Sequence, residues 1–169
     1  MSLLVIRAAC VATALVAAQP AFAVTCDEFL SKVAASSYSK MLPTFELEES
    51  PNLPGLFNIT NLPNITAAYV CKSGEFDGLG STLGRGGEAD RLRWAALAGA
   101  TMDAIRPSGS KGDGMEVVSR LQEKAINDAK LEEVKSGLRS GSAEEVYGDF
   151  ELTINVYSGS IQIQIDRAD

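Results

Sequence analysis

A chain of 169 residues with 15 basic side chains, 22 acidic ones and no histidine narrows the choice of function before any motif is read. Its net charge of −7 argues against nonspecific binding to DNA, RNA or anionic lipid, whose phosphates would repel it. Without imidazole it has no ordinary proton shuttle near neutral pH, no Ser-His-Asp or Cys-His nucleophile, and no histidine-based zinc or iron site.

The chain opens on what reads as an export signal, MSLLVIRAACVATALVAAQPAFA. Arg7 and the amino terminus form a positive head, Ala8 to Ala18 an uncharged apolar core, Gln19-Pro20 a helix break, and Ala21-Phe22-Ala23 an A-x-A cleavage site. A membrane anchor needs about 20 consecutive apolar residues, and Arg7 interrupts this stretch too early. Cys10 lacks the upstream leucine of a lipoprotein box, so lipidation is not expected. The expectation is a cleaved signal over 1–23 and a single α+β domain over 24–169, extracytoplasmic and either periplasmic or secreted. The Ala-rich signal and low cysteine count favour a Gram-negative periplasm. No second long apolar run follows, so no membrane span is expected after cleavage.

Cleavage leaves Cys26 and Cys71, an even pair predicted to form one disulfide in an oxidising compartment. Closing a loop of about 45 residues is worth about 4 kcal/mol on a chain-entropy estimate. The competing reading, two free thiols in redox work, lacks a C-x-x-C pair. With both sulfurs oxidised no thiolate metal site remains, and neither metal nor cofactor is expected.

Thr25-Cys26-Asp27-Glu28 has the form of a capping box. Phe29, Leu30, Val33, Ala34, Tyr38 and Met41 follow at helical spacing, which predicts a first helix ended by Pro43. Phe45 and Leu47 alternate with Glu46 and Glu48, as in a short strand with one wet face. Residues 50–64 are rich in Pro and Asn and read as a connecting loop. Their two Asn-Leu-Pro triplets, at 52–54 and 61–63, do not make a repeat architecture. Thr66 to Lys72 reads as a central strand, apolar on both faces, from which Cys71 would pin the first helix to the sheet. Gly74 to Gly87 contains six glycines and reads as a loop of unusual backbone freedom.

A second helix is predicted over Glu88–Ile105, with Glu88 and Asp90 at its dipole-positive end and Leu92, Ala96, Gly99, Ala100 and Met102 as a packing face. Arg106-Pro107 stops it. After a loop, Asp113-Gly114-Met115-Glu116 resembles another cap. The third helix buries Val117, Val118, Leu121 and Ala125 and continues through Leu131 and Val134 toward Gly137. Finally Phe150, Leu152, Ile154 and Val156, then Ile161, Ile163 and Ile165, alternate with polar residues around Ser158-Gly159. That pattern predicts a β-hairpin with one buried face. The predicted class is α+β, in the order α-β-β-α-α-β-β: a mainly antiparallel four-stranded sheet covered on one face by about three helices.

Several constellations could carry chemistry. Gly78, Gly80, Ser81, Thr82, Gly84 and Arg85 precede a helix and could form an anion-holding backbone nest, or a plain mobile loop. The spacing is neither G-x-G-x-x-G nor a G-K-[ST] phosphate loop. Ser37-Tyr38-Ser39-Lys40 matches S-x-x-K, but the S-D-N and K-T-G elements of penicillin-interacting serine enzymes are missing. Glu46 with Glu48, and Glu151 with Asp166, are carboxylate pairs of the type a glycosidase uses in a cleft. No D-x-[DN]-x-[DN]-G calcium loop is present. Asn58-Ile59-Thr60 and Asn64-Ile65-Thr66 are glycosylation sequons, meaningful only in a eukaryotic secretory route.

Together these point to an exported, non-catalytic soluble domain that binds a partner protein or an envelope component, and not nucleic acid. The 50–64 loop, the 74–87 loop and the wet hairpin face with Thr153, Asn155, Gln162 and Gln164 are the candidate surfaces. The last strand is a candidate edge for strand addition. The alternative is a small extracytoplasmic hydrolase using carboxylates or a Ser/Lys pair.

Overall fold

The computed structural model describes residues 24–106 and 114–168. The expected export signal at 1–23 lies outside the described residues, as does Asp113 of the expected second cap.

Helix α1 spans Cys26–Ala35 and begins as the sequence predicts: the Glu28 N–H donates to the Thr25 hydroxyl at 3.2 Å, and the Thr25 N–H donates to the Glu28 carboxylate at 3.1 Å. It does not run to Met41. Ser36 is extended, and its hydroxyl accepts from the Tyr38 N–H at 3.3 Å, which starts a separate 3-10 turn over Ser37–Met41.

Four strands follow as an antiparallel meander: β1 (Leu47–Glu49), β2 (Leu56–Ile59), β3 (Ile65–Lys72) and β4 (Glu75–Leu83). Helices α2 (Glu88–Ala104) and α3 (Gly114–Ser136) precede the strands of the far side, where β5 (Ser140–Tyr147), β6 (Phe150–Tyr157) and β7 (Ser160–Arg167) form a second meander. β7 then pairs with β4, which joins both meanders into one sheet of order β1-β2-β3-β4-β7-β6-β5, antiparallel throughout.

The α+β class, the antiparallel sheet and the C-terminal hairpin agree with the sequence reading. The strand number does not: among the described residues the sheet has seven strands where four are predicted. Three strands lack a readable signature. β2 is four residues long and lies inside the Pro- and Asn-rich stretch. β4 runs through the glycine-rich stretch, so the predicted loop is a strand as far as Leu83. Gly78 fits there because the Ile165 carbonyl of β7 sits where its side chain would be. β5, SGSAEEVY, has little apolar content, because the residues it turns toward the helices include Gly141 and Ala143.

The helices cover one face. Along β6 and β7, Leu152, Ile154, Ile163 and Ile165 are fully buried, as their alternation predicts. A bulge at Val70/Cys71 lets Phe76 and Leu79, three positions apart, both reach the core. Phe29 of α1 stacks on Phe76 with ring centroids 3.9 Å apart, and Phe76 meets Phe150 at 5.6 Å. On α2, Leu92 is exposed, so it does not join the predicted packing face formed by Ala96, Ala100 and Met102. Leu131 and Val134 of α3 are likewise exposed.

Cys26 and Cys71 form the predicted disulfide, with Cα atoms 6.1 Å apart, and tie the start of α1 to β3. The same end is held by backbone bonds from Cys26 N–H to the Gly74 carbonyl at 3.1 Å and from Phe76 N–H to the Val24 carbonyl at 2.8 Å. The last strand is not an edge. β7 lies between β4 and β6, and the edges are β1 and β5.

Candidate functional site

Where β4 ends, the chain passes through Gly84-Arg85-Gly86-Gly87 into α2. This short connection is held from two sides. The Gly84 N–H donates to the Asn64 carbonyl at 3.1 Å, and the Gly86 N–H to the Gly84 carbonyl at 2.8 Å. Asp90, in the first turn of α2, accepts from the Gly87 N–H at 3.1 Å, from the Asn64 side-chain amide at 2.9 Å and from Arg93 at 3.1 Å. The Asn64 amide is the main reason the Asp90 carboxyl titrates below its ordinary value. Burial opposes that shift, while the Gly87 N–H and the Arg93 charge add to it.

Held in this way, Arg85 lies against the β6–β7 turn: a side-chain carbon built on Gly159 would stand 3.3 Å from its Nε. Between the two lies a cavity of about 530 Å³. Leu83, Val156 and Ile161 from the sheet and Ile126 from α3 give it apolar lining. Arg85, Arg91 of α2 and Arg139 in the α3–β5 connection supply positive charge. Tyr157, Ser158 and Ser160 contribute hydroxyl groups, and Gln122 an amide.

These arginines differ from the other described ones. Arg93 pairs with Asp90, Arg106 with Asp103, Arg120 with Glu145 and Arg167 with Glu75. Among the described residues Arg85, Arg91 and Arg139 hold no carboxylate, and all three line this one cavity. The arrangement offers hydrogen-bond donors and positive charge beside an apolar wall, which suits an anion attached to a less polar body.

The structure divides the predicted ligand loop. Gly84 and Arg85 line the cavity, whereas Gly78, Gly80, Ser81 and Thr82 belong to strand β4, a correction to their placement in a loop. Ser81 is buried, 3 % exposed, opposite Ala67 and Ile163, so its hydroxyl faces the core. Gly80 and Thr82 pair with Gln164 and Gln162 on the sheet face that carries the wet hairpin residues. Sequence reasoning did not find Arg91, Arg139 or the Tyr157–Ser160 turn as site residues. Arg91 follows Arg85 by six residues but carries no motif, and the Tyr157–Ser160 turn comes beside Arg85 only through the pairing of β4 with β7.

The other constellations stand apart from this cavity. Ser37 and Lys40 are exposed on the 3-10 turn. Glu46 and Glu48 are exposed at and beside β1, and Glu151 faces Asp166 across β6 and β7 on the open side of the sheet. Asn58 lies within β2. Among the described residues no cluster of three or more His, Cys, Asp or Glu side chains could hold a metal ion, and no described helix is long and apolar enough to cross a membrane. No protein-family model matches the chain, and neither does any curated protein or solved structure.

Proposed function

We propose that the protein is an exported, non-catalytic soluble domain that binds an envelope component or partner protein through the arginine-lined cavity. The observation that carries this reading is the lining itself. Three arginines without carboxylate partners stand beside hydroxyl groups and an apolar wall, and the described lining contains no Asp, Glu or Lys. Such a set can hold and orient a ligand, but it lacks a group poised to take a proton near neutral pH.

Export is supported by the positive head, apolar core and A-x-A site of the first 23 residues, together with a disulfide of the kind that persists in oxidising compartments. The singled-out carboxylate pairs lie on exposed strands outside the cavity, which favours binding over the small-hydrolase alternative.

The test is to incubate the disulfide-bonded protein with a panel of glycan fragments, esters and peptides and to follow both retention and product. Saturable retention of an intact component is expected. Catalytic release of a product from any member overturns the reading.

A further inference from the structure

We propose that the ligand of this cavity is a compact polyanion, carrying two or more phosphate or carboxylate charges on a partly apolar body. The inference rests on the binding-domain reading above and deepens it. Of the seven described arginines, Arg93, Arg106, Arg120 and Arg167 each hold a carboxylate. Arg85 and Arg91, six residues apart at the start of α2, and the distant Arg139 line one cavity, and among the described residues none of the three holds a carboxylate. Like charges brought together repel, and a multivalent anion placed among them removes that cost as a single charge would not.

Guanidinium also selects the chemistry. Its planar fork of donors matches the paired oxygens of phosphate and carboxylate, which a chloride ion cannot imitate. The size is that of a small-molecule site, since about 530 Å³ falls within the usual range for such pockets. Apolar Leu83, Ile126, Val156 and Ile161 on the same wall leave room for a hydrocarbon part beside the charged groups. Arg85 lies against Gly159, and the bonds from Asn64 and Asp90 hold the backbone of its loop, which lowers the ordering that binding must impose there.

The experiment is calorimetric titration of the disulfide-bonded protein with pyrophosphate and, separately, citrate, at fixed ionic strength set by potassium chloride. One saturable site is expected for at least one of them, and the tighter of the two identifies the phosphate or carboxylate class. Arg85→Ala, Arg91→Ala and Arg139→Ala should each weaken it about tenfold or more. Arg85→Lys should weaken it too, because the fork is lost while the charge stays. Arg120→Ala, which breaks an ion pair outside the cavity, should leave affinity unchanged. Unliganded melting curves of the variants exclude unfolding as the cause. No saturable site for either anion overturns the proposal, as does binding that survives the cavity substitutions or falls equally in Arg120→Ala. Retention of an intact envelope component without anion binding removes the polyanion and spares the binding-domain reading. Hydrolysis of pyrophosphate to phosphate does the reverse.

Discussion

Asn64 donates its side-chain amide to the Asp90 carboxylate across 2.9 Å, joining the turn before β3 to the first turn of α2. Asn64 itself adopts a left-handed backbone with φ of 58°, a conformation that asparagine tolerates better than most residues. With the bonds from the Gly84 N–H to the Asn64 carbonyl and from the Gly87 N–H to Asp90, this contact helps to hold the Gly84–Gly87 connection and with it the base of Arg85.

The contact makes stability depend on pH at the acid end. The folded-state carboxyl of Asp90 lies below its ordinary value, so its contribution is complete above the unfolded value of about 4. It is lost as pH falls through the folded value. Asp90→Asn should therefore melt a few degrees below the wild type at pH 7, and the gap should close as pH drops from about 4 toward 2. A gap that stays constant over a melting series between pH 7 and 2 would show that the carboxylate charge is not what matters.

Reducing the Cys26–Cys71 bond, or replacing both cysteines with serine, should cost about 2–4 kcal/mol. Urea unfolding with and without reductant measures it. Most of the loss belongs to the unfolded chain, so a folded spectrum that is unchanged alongside a lower midpoint is the expected pattern.

Gly141 of β5 lies directly beneath α3. A side-chain carbon there would collide with the Ala125 carbonyl oxygen and the Ala129 N–H. Gly141→Ala should lower stability by about 1–3 kcal/mol as helix and strand are forced apart. Gly80 of β4 faces open space and has an ordinary φ, so Gly80→Ala should be neutral or stabilise by up to about 1 kcal/mol. Paired denaturation curves compare the two, and equal effects would contradict the close approach.

Ser81 is 3 % exposed and its hydroxyl has no hydrogen-bond partner among the described residues. Ser81→Ala removes an unsatisfied buried group at almost no loss of volume and should raise stability by up to about 1 kcal/mol. A clear fall in melting temperature would mean that the hydroxyl is satisfied after all.

Much of the architecture could be read locally. The capping box at Thr25 and Glu28, the run from Glu88 and the alternating hairpin from Phe150 to Ile165 are short-range patterns, and each element forms where its pattern lies. The strands that escaped notice are those whose burial depends on a neighbour. Gly141 and Ala143 look like poor strand residues until α3 is laid against them, and Gly78 looks like a loop residue until the Ile165 carbonyl approaches it. The cavity is the extreme case, since Arg85 stands among glycines but no motif marks Arg91 or Arg139.

What the amino-acid sequence determined by itself is the acidic, histidine-free chemistry, the pairing of Cys26 with Cys71 and the helix and hairpin signals, because each rests on composition or on neighbours a few residues apart. Only the tertiary structure decided that β7 inserts beside β4, that the described residues form a sheet of seven strands, and that three arginines with no carboxylate partner among the described residues line one cavity. Strand order is set by which apolar faces can be buried together, and that is a property of the whole packed chain rather than of any window along it.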